Sequence, residues 1–364
     1  MLSNNQPIKL SFAGAWRTYL GGAMLREFLG ETNAQDDHFP EEWIMSVVSA
    51  RNPGREDVKD EGLSKLASSS EISLKSVIEK DPLYYLGKDF VKKNGEGLGV
   101  LIKLIDSYER LSVQVHPNRT KAQELFHSAY GKTECWHILG GREVLGEVPS
   151  IYLGFKPGIT REEWKHLFDI QDIPGMLNCM HKFPVKKGET VIINGGVPHA
   201  IGAGCFLTEI QEPTDYTIRI ERTTESGLKI DDRMCHQGLG FDKMFDCFAY
   251  DGLTEEETRE RWFVPQKKVQ DTPEYTYTSL IDGSTTKMFS LYDIEVKKGS
   301  FALPLPQYFS GIYVMSGEGV MECNGEEYSL SAGDEFFIPA GCAEVKFTSE
   351  SSLKAFHFYG PSVE

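Results

Sequence analysis

Short runs of apolar and β-branched residues, separated by Gly, Pro and Asn, recur along the N-terminal two thirds of the chain. These runs lie at 100–105, 111–115, 151–155, 190–193 and 206–210. Apolar runs bounded by turn residues are typical of β-strands. Strands at this spacing predict an antiparallel sandwich or barrel.

Helical periodicity interrupts these strands at 61–80, 119–130, 160–169 and 254–262. Two of the helical stretches open with Thr-x-x-Glu, at Thr160 and Thr254, which is the spacing of a helix capping box. The pattern therefore predicts a mainly β fold with helical insertions in its N-terminal part.

From about residue 289 the chain has an alternating pattern of its own. Predicted strands lie at 289–296, 310–316, 319–323, 327–330, 335–339 and 343–347, with turns at Gly317, Gly319, Gly325, Gly333 and Gly341. The polar segment 266–274 predicts a linker in front of this unit. We therefore expect two domains, 1–265 and 275–364, with a small β-barrel in the C-terminal one.

Composition mainly excludes classes of function. With 364 residues and 40% hydrophobic content the chain can bury a large core. A net charge of -16 argues against nucleic acid and anionic membranes as partners, although a local cluster of Arg and Lys can still bind an anionic substrate. No run approaches the ~18 apolar residues that span a bilayer, and residues 1–10 carry no secretory pattern.

The seven cysteines are scattered and form no C-x-x-C pair. This distribution argues against a disulfide framework and against a thiolate zinc site. A reducing cytoplasm is the compartment that fits best.

Candidate chemistry begins in the segment 111–117. On a strand, alternate side chains share a face, so Ser112, Gln114 and His116 point to the same side. An ordinary half-exposed strand and a metal-binding strand explain this segment equally well.

Two further segments carry polar residues next to predicted strands. Lys132 and Glu134 also share a face, where a surface ion pair is the better interpretation of the segment alone. His199 follows two glycines and Pro198, which fix the turn that presents it as a ligand or as a hydrogen-bonded histidine. Taken together, these segments supply an amide, two imidazoles and a carboxylate, a set that suits zinc with an open position and also accepts manganese, iron or cobalt.

A fourth segment, 208–222, alternates so that Thr217, Arg219 and Glu221 share one face, while Glu209 lies on the preceding strand. The guanidinium of Arg219 can hold an anionic substrate or transition state. A salt bridge to neighbouring acidic residues explains the segment as well.

The motifs LSVQVHP, GKTECW, GGVPHAIGAG and EIQ…D…R, in this order, resemble the type I mannose-6-phosphate isomerases, a zinc-dependent cupin family. The resemblance is specific from about residue 99 to 219 and includes IYLGFKPG. It implies two cupin (jelly-roll) β-barrels, of which the C-terminal one is degenerate. Two departures stand out: the chain has Tyr19-Leu20-Gly21-Gly22 where the family has Trp-Gly-Gly, and Glu212-Pro213-Thr214 where the family more often has small polar residues. Arg222 is a weak candidate for a phosphate-binding base.

The resemblance also implies a role for each site residue. The implied roles are metal ligands Gln114, His116, Glu134 and His199; catalytic residues Arg219, Lys132 and Glu209; and substrate-binding residues Ser112 and Lys132. We therefore expect a cytoplasmic Zn²⁺-dependent isomerase, monomeric or homodimeric, that interconverts mannose 6-phosphate and fructose 6-phosphate. The alternative is a non-catalytic or regulatory cupin that binds a sugar phosphate, and an oxygen-using cupin with a histidine-rich iron site is a further one.

Overall fold

The computed structural model of the chain describes residues 2–363 except 51, 53 and 56, and its fold is mainly β. The strands are β1 (Ile8–Ser11), β2 (Gly14–Ala15), β3 (Glu41–Ile44), β4 (Lys65–Leu66), β5 (Ser69–Ser73), β6 (Leu101–Asp106), β7 (Gln114–Val115), β8 (Glu134–Gly141), β9 (Ser150–Phe155), β10 (Met180–Pro184), β11 (Thr190–Ile193), β12 (His199–Ile201), β13 (Cys205–Gln211), β14 (Ile218–Arg219), β15 (Lys267–Asp271), β16 (Tyr275–Ile281), β17 (Ser290–Val296), β18 (Gly299–Pro304), β19 (Ser310–Cys323), β20 (Glu326–Ser331), β21 (Glu335–Ile338), β22 (Glu344–Ser349) and β23 (Leu353–Tyr359). The helices are α1 (Ala23–Phe28), α2 (Leu74–Ile78), α3 (Pro82–Leu86), α4 (Lys88–Asn94), α5 (Arg119–Phe126), α6 (Arg161–Ile170), α7 (Ile173–Asn178), α8 (Asp232–His236), α9 (Glu255–Trp262) and a 3₁₀ turn at Lys243–Cys247. The prediction of a mainly β chain is confirmed.

Antiparallel pairing organises the strands into three sheets. The six-stranded sheet has the order β11-β8-β13-β6-β3-β2, and the five-stranded sheet has the order β10-β9-β12-β7-β14. The third sheet, of twelve strands, combines the C-terminal strands with β1, β4 and β5 from the N-terminal part. In it, Ile8 of β1 pairs with Phe337 of β21, so the first strand completes a sheet made largely of C-terminal residues.

The hydrophobic core is continuous between the N-terminal and C-terminal parts of the chain. Its largest cluster joins Leu104 and Trp136 of the six-stranded sheet to Phe337 and Phe358 of the C-terminal sheet, and all four are almost fully buried. Within the described part of the chain, no helix has the length and apolar composition needed to span a membrane.

Both Thr-x-x-Glu stretches begin helices as predicted. The Thr254 hydroxyl accepts a hydrogen bond from the Glu257 amide, and the Glu257 carboxylate accepts one from the Thr254 amide, which is the full capping box. At Thr160 the hydroxyl accepts from the Glu163 amide. These caps satisfy amide groups that the first turn of a helix leaves unpaired.

Three local predictions are wrong. Only 74–78 of the predicted helical stretch 61–80 is helical, as α2, whereas 65–73 form the hairpin β4–β5, because β4 pairs with β1 and continues the large sheet. The supposed linker 266–274 contains β15, whose exposed and mostly polar side chains are typical of an edge strand. Gly317 and Gly319 lie inside the single strand β19, beside a bulge, rather than in a turn between two strands.

Two buried carboxyl groups face each other where β3 meets the C-terminal sheet. The Tyr313 hydroxyl donates to Glu42 at 2.6 Å, and the Ser64 hydroxyl donates to Glu335 at 3.2 Å. Among the described residues neither carboxyl group has a cationic partner within 4 Å. Burial raises the pKa of Glu42 to about 8, and burial together with the charge of Glu42 raises the pKa of Glu335 well above its ordinary value.

We expect replacement of Glu42 by Gln to flatten the pH dependence of stability. The folded protein keeps the Glu42 proton up to a pH of about 8, whereas the unfolded chain releases it near the ordinary pKa of 4.5. The folded state therefore binds more protons between these values, and the free energy of unfolding falls as the pH rises, by up to ~1.4 kcal/mol per pH unit for one group. Glu42→Gln removes this contribution.

Urea unfolding at pH 5, 6, 7 and 8 measures the slope directly. Glu27→Gln, at an exposed position of α1, serves as the control and should keep the wild-type slope. Equal slopes for wild type and Glu42→Gln would contradict the assignment.

Candidate metal and substrate site

Three of the four predicted metal ligands form one buried cluster. One ligand atom each from His116, Glu134 and His199 lies within 4.8 Å of the others, and this is the only such group of His, Cys, Asp and Glu among the described residues. His116 follows β7, Glu134 begins β8 and His199 begins β12. The fourth, Gln114, pairs in register with His199, and its amide nitrogen lies 3.3 Å from His199 Nε2.

The two imidazoles are oriented by backbone carbonyl groups. His116 Nδ1 donates to the Tyr216 carbonyl at 2.9 Å, and His199 Nδ1 donates to the Val197 carbonyl at 2.8 Å. With the proton on Nδ1, both Nε2 lone pairs point into the cluster, where the two Nε2 atoms are 3.2 Å apart. Burial lowers the pKa of His199 to about 3, and burial and Lys132 lower that of His116, so both rings are the neutral donors that a metal requires.

Glu134 completes a donor set that attracts positive charge. Burial alone would raise its pKa, but the charge of Lys132, with contributions from both imidazoles, holds it well below its ordinary value. Lys132 Nζ donates to Glu134 Oε2 at 2.8 Å, while Glu134 Oε1 is buried without a hydrogen-bond partner among the described residues. Turning the Gln114 amide would direct its oxygen to the same point. An ionised carboxylate, two neutral imidazoles and an amide fit a divalent ion such as zinc.

A tight loop fixes His199 against the strand that carries His116. Gly196 has a φ of +98°, a conformation that L side chains rarely adopt, and its amide donates to the His116 carbonyl at 2.7 Å. A Cβ atom on Gly195 would lie 2.5 Å from the Asn118 backbone. The glycines that precede His199 are therefore required for the two ligand segments to approach each other.

The remaining predicted residues meet in a cavity that adjoins this cluster. Its lining includes five of them, Ser112, Gln114, Lys132, Glu209 and Arg219. Antiparallel pairing explains the arrangement, because directly paired residues point to the same side of a sheet. One sheet contributes the row His199–Gln114–Arg219, and the other contributes the row Trp136–Glu209–Lys103–Trp43.

Arg219 is held without a carboxylate partner. Its Nη1 donates to the Thr217 and Met234 carbonyl groups, each at 3.3 Å, and it makes no ion pair within 4 Å among the described residues. Two of the acidic residues considered as its partners bind other arginines, since Glu221 pairs with Arg110 at 2.6 Å and Glu212 with Arg119 at 2.7 Å. Burial and the like charge of Arg17 lower the pKa of Arg219.

Glu209 is fixed by two donors. Lys103 Nζ lies 2.8 Å from its Oε1, and Trp136 Nε1 donates to its Oε2 at 3.0 Å. Each carboxylate oxygen accepts one of these bonds and retains a further lone pair. The Glu209 side chain is thus presented to the cavity in a single orientation.

Sequence reasoning gave no role to the charged cavity residues Arg17, Glu41 and Lys103. A lysine inside an otherwise apolar strand is a signal for Lys103, because a buried cation needs a partner. No local pattern distinguishes Arg17 or Glu41, which reach the cavity from the N-terminal segment. Arg222 is not among the lining residues, and its guanidinium instead lies over the rings of Phe241 and Phe168, at 4.4 and 5.1 Å.

Comparison with known proteins finds two family models that match parts of the chain. Residues 56–133 match the phosphomannose isomerase type I catalytic domain, and residues 267–357 match the mannose-6-phosphate isomerase cupin domain. The chain is 28% identical over 268 residues to the probable mannose-6-phosphate isomerase GmuF of Bacillus subtilis (strain 168), which covers 72% of this chain and 75% of that protein.

Solved structures share the fold at low sequence identity. The mannose 6-phosphate isomerase of Bacillus subtilis superposes with a TM-score of 0.71 at 21% identity, over 96% of this chain and 99% of that one. A mannose 6-phosphate isomerase bound with zinc and yttrium superposes with a TM-score of 0.70 at 15% identity, over 98% of this chain and all of that one.

A mainly β chain with a matching cupin domain fits the cupin class of proteins, and its buried histidine–carboxylate cluster could hold a metal. Within that class, both matching family models describe phosphomannose isomerase domains, so the chain resembles the type I phosphomannose isomerases. The predicted resemblance is confirmed.

Replacement of His199 by Ala should release the bound metal, because it removes one of two imidazole donors from a buried site. We expect the metal affinity to fall by at least ~100-fold, more than the loss of an outer-shell partner causes. Elemental analysis of the purified protein, before and after dialysis against a weak chelator, measures the change. His166→Ala, in an exposed part of α6, is the matched control, and wild-type metal content in His199→Ala would show that His199 is not a ligand.

Proposed function

We propose that the protein interconverts mannose 6-phosphate and fructose 6-phosphate at a zinc ion held by Gln114, His116, Glu134 and His199. The observation that carries this proposal is the convergence of that donor set with Ser112, Lys132, Glu209 and Arg219 on one cavity. An aldose–ketose isomerase needs a Lewis acid, a base and a site for the anionic substrate in one place.

The charges around the cavity favour a dianionic substrate. Four cationic side chains around the cavity are balanced by four carboxylates. The cations are Arg17, Lys103, Lys132 and Arg219, and the carboxylates are those of Glu41, Glu134, Glu209 and Asp215. A divalent ion in the donor set adds two positive charges, and a phosphate monoester supplies the two negative charges that neutralise them. Since unbalanced buried charge is costly, a sugar phosphate fits this site better than a neutral sugar.

Zinc is the proposed ion because mixed nitrogen and oxygen ligation without thiolates suits it, and because a structural relative is bound with zinc. When bound, such an ion polarises the substrate carbonyl group.

The side chains of the chain supply the remaining chemistry. Arg219 stabilises negative charge that develops on the substrate oxygens, and Ser112 and Lys132 position the sugar phosphate. Glu209 moves the proton between C1 and C2. The Lys132 ammonium is the less suitable base because it already donates to Glu134 at 2.8 Å.

The finer organisation of the protein belongs to the same proposal. Two cupin barrels, in domains 1–265 and 275–364, are supported by the C-terminal cupin match at 267–357. The seven cysteines are all buried and free, which supports a reducing cytoplasm. We propose a monomer or homodimer that does not bind nucleic acid, consistent with the net charge of -16.

Removal of the metal should abolish turnover, and zinc should restore it. The measurement is a coupled assay of mannose 6-phosphate conversion on protein of known metal content, before chelation, after chelation and after addition of zinc. Activity that follows the zinc content supports the proposal. A zinc-loaded protein without turnover would contradict it and would favour a regulatory cupin that binds a sugar phosphate.

Glu209→Gln should lower kcat by about 10²- to 10⁴-fold, the usual contribution of a general base. Zinc content should stay at the wild-type level, because Glu209 is not a ligand in the proposed site. Exchange of the substrate C2 hydrogen with deuterated water, followed by NMR, isolates the proton transfer. Glu189→Gln, whose carboxylate pairs with Arg259 outside the cavity, is the control. Normal exchange in Glu209→Gln together with its loss in Lys132→Met would assign the base to Lys132.

A further inference from the structure

We propose that Arg17 binds the phosphate group of the substrate. This inference rests on the proposed sugar-phosphate function and adds a residue that no motif of the sequence indicated. Arg17 lies in the N-terminal segment after β2, about 200 residues from Arg219 in the chain.

Arg17 is held rigidly at the cavity wall. Its Nε lies 3.2 Å from Glu41 Oε1 and its Nη2 lies 3.6 Å from Asp215 Oδ1, while its guanidinium carbon is 5.9 Å from the centre of the Trp43 ring. Its backbone amide donates to the His38 carbonyl at 2.8 Å. The Arg17 side chain is only 10% exposed, so it is a buried part of the cavity wall and not a surface charge.

The Arg17 guanidinium group can nevertheless donate further hydrogen bonds. It carries five N–H groups in a fixed plane, and among the described residues its side chain donates no well-oriented hydrogen bond. The contacts with Glu41 and Asp215 are ion pairs, and Arg17 also lines the cavity. A ligand with several oxygen atoms in the cavity can therefore accept hydrogen bonds from its guanidinium group.

Arg17 and Arg219 are like charges that line the same cavity. Arg17 contributes to the lowered pKa of Arg219, and Arg219 has only two long bonds to carbonyl groups. The planar guanidinium group of Arg17 matches a phosphate, which accepts paired hydrogen bonds and carries two negative charges. No other pair of arginines lines the cavity in the described part of the chain.

The position of Arg222 strengthens this assignment. Arg222 stacks on Phe168 and Phe241 and does not line the cavity, so it is not placed to contact a ligand there. Arg17 supplies a cation to the same cavity from a different part of the chain.

The competing explanation is that Arg17 serves only to neutralise Glu41 and Asp215. Arg17→Lys separates the two roles, because lysine keeps the charge but cannot form the paired bonds of a guanidinium. Arg161→Gln, which removes an arginine paired with Asp246 outside the cavity, is the control.

The experiment measures binding of mannitol 6-phosphate by calorimetry to zinc-loaded wild type and variants. This hexitol phosphate has no carbonyl group and cannot isomerise, so binding is read independently of turnover. We expect Arg17→Lys to weaken its binding by about 10- to 100-fold, with zinc content and melting temperature unchanged. In the isomerase assay the same variant should raise KM for mannose 6-phosphate more than it lowers kcat. Arg161→Gln should match the wild type in both measurements.

Equal affinity of wild type and Arg17→Lys for mannitol 6-phosphate would overturn the inference while leaving the proposed isomerase activity intact. Conversely, Arg17-dependent binding by a protein that does not turn over mannose 6-phosphate would support the phosphate site and reject the activity. If Arg17→Lys is unstable, the double variant Arg17→Gln with Glu41→Gln removes one charge of each sign and provides the second test. Wild-type affinity in that double variant would also overturn the inference.

Discussion

The site depends on the register of antiparallel strands in two sheets. The pairs His199–Gln114 and Gln114–Arg219 direct three side chains from β12, β7 and β14 to the same side, and the pair Glu209–Lys103 does the same in the other sheet. A shift of one residue in either sheet would turn these side chains away from the cavity. Apolar residues in alternate positions oppose such a shift, because Val113 and Val115 are fully buried on the other side of the Gln114 strand.

Charge balance is the second condition that this arrangement satisfies. Register alone would bring several buried charges together at a high desolvation cost. The structure alternates them instead, from Asp215 to Arg17, Glu41, Lys103 and Glu209. Burial alone would raise the pKa of Glu41 and Asp215, but the nearby cations hold both below their ordinary values, so this chain of ion pairs remains charged.

Sequence reasoning succeeded where a local pattern carries the geometry. Alternation correctly placed Ser112 and Gln114 on one face and Lys132 beside Glu134, and helix caps identified α6 and α9. It failed for Arg17 and Glu41, because their positions depend on pairing between β3 and β6 and on the path of the N-terminal segment. Such long-range contacts produce no periodic pattern in the sequence around either residue. The hairpin β4–β5 was missed for the same reason, since its pairing partner β1 lies more than 50 residues away.

These long-range contacts also connect the cavity to the C-terminal sheet. β1 precedes the segment that carries Arg17 and pairs with β21, so the sheet fixes the start of that segment. Next to Glu41, Glu42 accepts a hydrogen bond from Tyr313 of β19, and Glu335 of β21 accepts one from Ser64. Because neighbouring residues on a strand face opposite sides, β3 presents Glu41 to the cavity and Glu42 to the C-terminal part. The C-terminal sheet therefore supports the wall of a site to which it contributes none of the lining residues in the described part of the chain.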